Sequence, residues 1–180
     1  MHIQTDRLIL KEIEEHDIES IHLMNSCKEV EQFNTIGIPT NIKQTEALLN
    51  PIIEDKNKEV RSVFGWTIRS STTNVFIGEI GMNLSSKKYN KAEIHYNVMP
   101  TQWGIGYGQE ASRAIIKFGF EILKLHRIEA GVAVENYASL KLLEKVGMLR
   151  EGIHRKILPI RGEWVDNYTY AILEEDWAST

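Results

Sequence analysis

The residues between Met99 and Ala111 carry the strongest sign of chemistry in this sequence. A strand-like run ends before Pro100, three alternate glycines follow, and a helical pattern begins at about Gln109. Glycines let a backbone approach a ligand closely, and a helix N-terminus adds unpaired N–H donors and a positive dipole end. The pattern predicts an anion site suited to a pyrophosphate, with a tight strand-to-helix turn as the alternative. The residues assigned to this loop are Trp103, Gly104, Ile105, Gly106, Tyr107 and Gly108.

Two common nucleotide-binding motifs do not fit this glycine-rich loop. The spacing Gly104-x-Gly106-x-Gly108 differs from the GxGxxG order of dinucleotide-binding folds, and it follows antiparallel strands rather than opening the chain. The loop also lacks the Gly-Lys-Ser/Thr end of a P-loop. It therefore predicts a phosphate site outside both of these fold classes.

Composition places the chain among ordinary globular proteins. Its 180 residues are 42% hydrophobic and 26% charged, which excludes disordered and collagenous classes and predicts a single domain over 1–180. Cys27 is the only cysteine, and with six scattered histidines it predicts neither a disulfide nor a metal site. Asp6 and Arg7 interrupt the N-terminal run where a signal peptide needs apolar residues, so we expect a cytoplasmic protein without membrane attachment.

The net charge of −4 is unevenly distributed along the chain. Residues 1–62 carry a net charge of −5, and residues 63–180 carry +1. The absence of a concentrated basic stretch argues against a nucleic-acid partner, whereas the acidic first third suits a cationic acceptor. A solvated acidic helix surface explains the same distribution.

Hydrophobic patterns indicate the elements that precede the glycine-rich loop. An opening strand is followed by a helix that Asp17 can cap, because its carboxylate accepts first-turn amides. A second helix follows Thr40, and Pro51 inside it predicts a kink or a break. The runs 64–68 and 76–84 alternate at period two across a polar turn, which predicts a hairpin.

The order of elements around and after the loop predicts one parallel strand pair. Residues 91–99 and 128–134 are β-type runs separated by a helix over about 109–124. A strand, a crossover helix and a strand make a parallel pair. The remaining elements are a short helix and two final strands, over 137–146, about 153–159 and about 164–173. The fold class is therefore α/β (α+β), with a mixed, mostly antiparallel sheet of seven strands flanked by helices.

The glycine-rich loop resembles the acetyl-CoA loop of the GNAT N-acetyltransferases. The family reads Arg/Gln-x-x-Gly-x-Gly/Ala after its fourth strand, and this chain reads Trp103-Gly-Ile-Gly106-Tyr-Gly108, with tryptophan in the leading position. WGxGY followed by a small residue and Glu-Ala is similar to the RimJ/RimL-type branch. Further segments resemble that branch, so that the likeness spans about residues 5–177: Thr5-Asp-Arg-Leu-Ile-Leu10, Ala92-Glu-Ile-His-Tyr96, Glu135-Asn-Tyr-Ala-Ser139, Glu144-Lys-Val-Gly-Met148 and Gly162-Glu-Trp-Val-Asp166.

The resemblance implies a GNAT fold with acetyl-CoA as co-substrate. In the family the fourth and fifth strands splay apart, here about 91–99 and 128–134, and free strand-edge groups near Val98 and Met99 then bind the pantetheine arm. The amide of Val98 or Met99 can also face the thioester oxygen and stabilise the negative charge that develops there. Direct attack by a neutral amine then needs no nucleophilic serine or cysteine.

Asn136 and Ser139 carry over from the family as cofactor contacts. The resemblance also implies that Ser139 protonates the leaving thiolate, since the tyrosine acid of many family members falls at Leu143 here. Asn136 has an alternative role, because its side-chain oxygen can cap the helix that follows.

The general base has no direct counterpart in this sequence. The glutamate base of some RimL-like members falls at Leu158. Glu79 and Glu93, on neighbouring strands, are the candidate catalytic bases, with His95 third. Each is equally consistent with a structural residue on a strand face.

The free energy needed to neutralise an amine at pH 7 depends on its pKa and therefore differs between classes of acceptor. Neutralising an α-amino group of pKa about 7.8 at pH 7 costs roughly 1.1 kcal/mol, whereas an alkyl amine of pKa about 10.4 costs roughly 4.6 kcal/mol. This difference favours a protein N-terminus, as in RimJ/RimL relatives that act on ribosomal proteins. The alternatives are small-molecule acetylation of a polyamine, an amino acid or an aminoglycoside, and a CoA-binding module without catalysis. The resemblance also suggests a homodimer through the C-terminal strands.

Overall fold

This computed structural model describes residues 1–178, which contain eight strands and six α-helices. The strands are β1 (His2–Gln4), β2 (Leu8–Glu12), β3 (Val63–Ser70), β4 (Phe76–Leu84), β5 (Lys91–Val98), β6 (Arg127–Ala133), β7 (Leu149–Ile160) and β8 (Glu163–Leu173). The helices are α1 (Ile18–Asn25), α2 (Lys28–Glu31), α3 (Ile42–Asp55), α4 (Tyr107–Glu121), α5 (Tyr137–Lys145) and α6 (Glu174–Ala178). Within the described residues, none of the helices combines the length and the apolar content needed to cross a bilayer.

The sheet has the order β1-β2-β3-β4-β5-β6-β8-β7, and its neighbouring strands are antiparallel except for β5 and β6. This arrangement confirms the predicted mixed sheet and its one parallel pair. The sheet has eight strands instead of the expected seven, because His2–Gln4 folds back along β2 with Ile3 opposite Leu10. A strand of three residues is too short to show a period-two pattern in the sequence.

The parallel pair is joined at one end and open at the other. Its ladder runs only from Lys91↔Arg127 to Glu93↔Glu129, although β5 continues to Val98 and β6 to Ala133. Glu129 accepts hydrogen bonds from Lys91 Nζ and Arg127 Nε, each at 2.7 Å, which ties the joined end. Beyond Glu93 the two strands diverge and leave backbone edges facing each other.

The larger core lies between the sheet and α4. Phe64 and Trp66 of β3 stack with ring centroids 5.6 Å apart, and Phe118 of α4 meets both rings edge-on at 5.4 Å. The apolar residues of α4 recur every three or four positions, so one stripe of the helix faces the sheet. The helix begins at Tyr107, two residues before the predicted start, which places its first turn inside the glycine-rich loop.

A second, smaller core lies on the opposite face of the sheet, under α1 and α3. Ile21 and Met24 of α1 pack there with Leu49 of α3. A side chain at Gly65 would come within 2.7 Å of Ile52 Cγ2, so α3 lies directly on β3. This packing covers the β2–β3 side of the face, next to the polar residues of β4 and β5.

Two local predictions for this region were wrong, one of them in part. Asp17 does not cap α1, because its buried carboxylate accepts from Glu14 N and pairs with Arg69 at 2.6 Å. Of the kink or break expected at Pro51, the break is absent, because α3 runs unbroken from Ile42 to Asp55. Pro51 and Ala47 are both exposed, so water can bond the Ala47 carbonyl that proline leaves without a donor.

Candidate active site

The glycine-rich loop joins the open end of β5 to the N-terminus of α4. Gly104 and Gly106 have φ values of +76° and +89°, which favour glycine over residues with a side chain. Gly108 has a different constraint, because a side chain there would lie 2.9 Å from Leu142 Cδ1 of α5. The first helical bond of α4 is from Glu110 N to Gly106 O, so the N–H groups before it lack helical acceptors and remain available to an anion.

Trp103 attaches the loop to the strand that precedes it. Its indole Nε1 donates to the Val98 carbonyl at 2.7 Å, while half of its side chain remains exposed. The tryptophan that departs from the family's leading Arg/Gln therefore has a structural role at the end of β5.

The N-terminal segment clasps the same loop, a contact that sequence reasoning missed. Arg7 Nε donates to Glu110 Oε2 at 2.7 Å, Arg7 Nη1 donates to the Ile105 carbonyl at 3.1 Å, and the guanidinium lies over the Tyr107 ring. Thr5 Oγ1 donates to Glu110 Oε1 at 2.6 Å. Burial alone would raise the pKa of Glu110, but the hydrogen bonds from Thr5 and Arg7 outweigh it and lower that pKa. The segment Thr5–Leu10 was noted only as part of the resemblance.

The structure distinguishes the two backbone amides that were predicted to face the thioester. Met99 N donates to Ile77 O of β4 at 2.8 Å, so this amide is already engaged. Successive N–H groups of a strand point to opposite sides, and the Val98 N–H therefore points away from β4, toward the open side of β5. The expectation that either amide can serve is thus corrected in favour of Val98.

Glu79, Glu93 and His95 lie on the sheet face opposite α4, as the alternation predicts. Glu79 lies opposite Asn97 in the β4–β5 ladder and accepts from its Nδ2 at 3.1 Å. The His95 ring occupies the space above Gly81, where a side chain would come within 2.4 Å of Nε2. Within residues 1–178 these groups form no cluster that could hold a metal ion.

The three candidate bases differ in their distance from the open end of the parallel pair. Glu79 is level with Asn97, next to Val98. Glu93 belongs to the last ladder pair with β6, four residues and therefore about 13 Å back along β5. Glu79 is the carboxylate nearest the predicted thioester position.

The start of α5 supplies the site residues that follow β6, across the splay from β5. Asn136 Oδ1 accepts from Ser139 N at 3.2 Å, so the capping role that was left open for Asn136 is present. Leu143, at the position of the family's tyrosine, is 1% exposed and belongs to the larger core. Burial raises the pKa of Tyr96 in β5, and the side chain of the half-buried Ser139 lowers it.

A cleft of about 450 Å³ opens beside this helix start. Gln32 and Phe33, which follow α2, form one wall, and residues 135–138 form the other. The cleft lies between the acidic N-terminal region and the loop that ends β6. The cleft therefore borders the N-cap residue of α5, Asn136.

Two buried polar atoms near the splay, one on β5 and one on β8, lack partners within residues 1–178. Tyr96 Oη of β5 and Asn167 Oδ1 of β8 make no hydrogen bond within residues 1–178. The amide N–H groups of a pantetheine arm supply a donor for Asn167 Oδ1, so this atom fits the pantetheine part of acetyl-CoA.

Comparison with known proteins agrees with this geometry. Residues 7–149 match the family model described as an acetyltransferase (GNAT) domain. The chain is 34% identical to the uncharacterized N-acetyltransferase YnaD of Bacillus subtilis (strain 168), over 98% of this chain and 99% of the relative.

Two solved structures share the fold over nearly the whole chain. A GNAT-family acetyltransferase from Bacillus anthracis superposes with a TM-score of 0.85 at 32% identity, covering 97% of this chain and 99% of that one. Spermidine N-acetyltransferase from Vibrio cholerae, solved in complex with CoA and spermine, has a TM-score of 0.85 at 23% identity, with the same coverage.

Proposed function

The chain belongs to the GNAT acetyltransferase family and is an acetyl-CoA-dependent N-acetyltransferase, and from this premise we propose that its acceptor is the α-amine of a protein or peptide N-terminus. A ribosomal protein is the acceptor that the RimJ/RimL-like motifs suggest. The observation that carries the proposal is the open end of β5 and β6 beside the glycine-rich loop. An open strand edge next to a helix N-terminus suits an elongated ligand that ends in a pyrophosphate.

The proposed cofactor site follows from this arrangement. The pyrophosphate binds the N–H groups of the loop 104–108 and the first turn of α4, where the positive dipole end favours an anion. The pantetheine arm lies along the free edge of β5 that ends at Val98, with Ser139 on the far side. Arg7 holds the loop in place from outside through Glu110 and Ile105.

The proposed reaction is direct transfer. A neutral amine nitrogen attacks the acetyl carbon, and the Val98 N–H stabilises the negative charge on the thioester oxygen. The C–S bond then breaks with its electron pair on sulfur, and Ser139 Oγ–H gives its proton to the thiolate. Glu79 accepts the proton that the attacking amine loses, directly or through water.

The acceptor is proposed from the modest acid–base groups at this site. Glu79 is the single carboxylate level with Val98 among the three candidate bases, and it already shares a hydrogen bond with Asn97. An α-amine needs about 3.5 kcal/mol less than an alkyl amine to reach its neutral form at pH 7. A site with one partly engaged base suits the α-amine better.

A polyamine is the second candidate acceptor. The Vibrio cholerae structure with the same fold is a spermidine N-acetyltransferase that was solved with spermine. The net charge of −5 on residues 1–62 and Glu135 in the wall of the cleft favour a cationic acceptor of either kind.

The proposal is tested by following free-thiol release from acetyl-CoA with a panel of amines. The panel contains peptides with varied N-termini, spermidine, free amino acids and aminoglycosides, and mass spectrometry locates each acetyl group. We expect α-acetylated peptide as the main product. Acetylated spermidine in preference to every peptide would replace the first candidate by the second, and acetyl-CoA binding without turnover would favour a binding module.

A matched pair of variants tests the proposed base. Glu79→Gln removes the carboxylate level with Val98, and Glu93→Gln removes the one at the joined end of the strands. We expect kcat to fall about 100-fold in the first variant and about twofold in the second. Equal effects would remove Glu79 from its proposed role.

A further inference from the structure

Tyr96 is a half-buried tyrosine whose hydroxyl oxygen is buried and has no hydrogen-bond partner within residues 1–178. It lies on β5, three residues beyond the last ladder pair at Glu93 and two residues before Val98. Its ring packs against the larger core, and its Oη makes no hydrogen bond to any group in residues 1–178. A buried donor without an acceptor is costly, and a phenylalanine would fill the same space without that cost. The hydroxyl therefore needs an explanation that packing does not supply.

Ser139 is the polar residue whose side chain affects the pKa of this hydroxyl. Burial raises the pKa of Tyr96 to about 12, and the interaction with the Ser139 side chain opposes that rise. The two side chains come from opposite arms of the splay, Tyr96 from β5 and Ser139 from the helix that follows β6. Tyr96 Oη makes no hydrogen bond to Ser139 or to any other group within residues 1–178.

The backbone of Ser139 is fixed while its hydroxyl is not. Ser139 N donates to Asn136 Oδ1 at 3.2 Å, which holds the first turn of α5. A serine hydroxyl both donates and accepts, and its proton rotates to suit the groups around it. A neighbouring donor that bonds the serine oxygen leaves the serine proton free to point elsewhere. Tyr96 stays protonated at neutral pH, so it can serve only as such a donor or as an acceptor for Ser139 itself.

We propose that Tyr96 is a positioning residue, which donates its hydroxyl proton in a hydrogen bond to Ser139 Oγ and thereby aims the Ser139 proton at the sulfur of acetyl-CoA. The inference rests on the proposed cofactor site. As the C–S bond breaks, its electron pair stays on sulfur and the Ser139 proton moves to it. Ser139 Oγ then regains a proton, through water, from Glu79, which has taken it from the attacking nitrogen. The net transfer is one proton from the amine to the thiol of CoA, and Tyr96 keeps its own proton throughout.

The test compares Tyr96→Phe, Ser139→Ala and the double variant with the parent enzyme. Binding of acetyl-CoA is measured by calorimetry, and kcat and KM are measured by thiol release with the best acceptor. We expect Tyr96→Phe to lower kcat about tenfold, with an unchanged KM for acetyl-CoA and an unchanged or higher Tm. The double variant should be no slower than Ser139→Ala, because Tyr96 acts through Ser139.

Tyr170→Phe is the matched control. Tyr170 is a buried tyrosine on the same sheet face, and its hydroxyl bonds Glu144 at 3.1 Å. Losing that hydroxyl should lower Tm and leave kcat as in the parent, the reverse of the Tyr96→Phe result. Equal losses of kcat in both variants would show that any buried hydroxyl on this face acts through stability alone.

Each other outcome also decides the proposal. An unchanged kcat in Tyr96→Phe, or losses that multiply in the double variant, overturns the coupling to Ser139. Weaker acetyl-CoA binding in Tyr96→Phe with kcat retained makes Tyr96 a wall of the binding site instead. If the parent protein binds no acetyl-CoA, the proposed cofactor site itself fails, which the calorimetry shows before any variant is made.

Discussion

The two ends of the β5–β6 pair differ in how their polar groups are satisfied. At the joined end, Glu129 bonds both Lys91 and Arg127, and Arg127 also pairs with Glu151. At the open end, the hydroxyl of Tyr96 is buried without a partner. The same two strands are therefore fully bonded where they meet and incompletely bonded where they part.

This difference indicates how one strand pair can be held firmly at one end and still bind a ligand at the other. Ion pairs and ladder bonds at the joined end fix the separation of the strands, while the open end keeps donors and acceptors for a ligand. The loop beside the open end is held from outside by Arg7 rather than by the ligand's own contacts. Changes at the open end should thus alter binding, and changes at the joined end should alter stability.

The largest expected effect is at the open end, in Gly106→Val. A β-branched residue is strained at a φ of +89°, and relief of that strain turns the loop N–H groups away from the pyrophosphate. We expect the Kd for acetyl-CoA to rise about 100-fold, which calorimetry measures. Gly152→Val is the control, since it has an ordinary φ and open space around it, and its Kd should match the parent. An unchanged Kd in Gly106→Val would remove the loop from the cofactor site.

A smaller effect on binding is expected from Arg7→Met. This substitution removes the bonds to Glu110 and Ile105 but keeps much of the apolar stem. We expect the Kd for acetyl-CoA to rise about tenfold, because the loop loses its outer support. Lys11→Met removes an exposed cation that bonds Asn74 in the turn between β3 and β4, and this variant should bind acetyl-CoA as the parent does. Similar losses in both variants would indicate a general effect of charge.

At the joined end, Glu129→Gln should lower stability and leave binding intact. The amide cannot balance Lys91 and Arg127 together, so the free energy of unfolding should fall by about 1 kcal/mol in urea titration. Glu121→Gln removes the acid of an exposed i,i+4 pair and should change stability by only a few tenths of a kcal/mol. A Glu129→Gln variant that unfolds like the parent but binds acetyl-CoA weakly would reverse the assignment of the two ends.

The smallest effect is a pH dependence of the Arg7–Glu110 clasp. The pKa of Glu110 is lowered in the folded protein, so its contribution to stability is present above the ordinary value of 4.5 and is lost as pH falls through the folded value. The parent and Glu110→Gln should differ by a few tenths of a kcal/mol at pH 7, because the Arg7 side chain is 48% exposed and solvent screens the pair. The difference should shrink steadily below pH 4.5, as urea titrations at a series of pH values would show. A constant difference would mean that the clasp does not depend on the charge of Glu110.

Much of the site was predictable because local patterns encode it. The alternate glycines indicated the turn that joins β5 to α4, and the strand–helix–strand order predicted the parallel pair. Asn136 was correctly given a capping role by residue type. Pro51 was misjudged for a physical reason that no local pattern shows, namely that both it and Ala47 face water.

The sequence by itself determined which residues form the loop, the strands and the face that carries Glu79, Glu93 and His95, because periodicity and glycine content act over a few neighbouring residues. Only the tertiary structure decided that Met99 N is bonded to β4 and that Arg7 reaches Glu110. These contacts join segments distant in the chain or depend on which neighbour a strand edge finds. Such choices are made by the packing of the whole sheet, and no local pattern of residues records them.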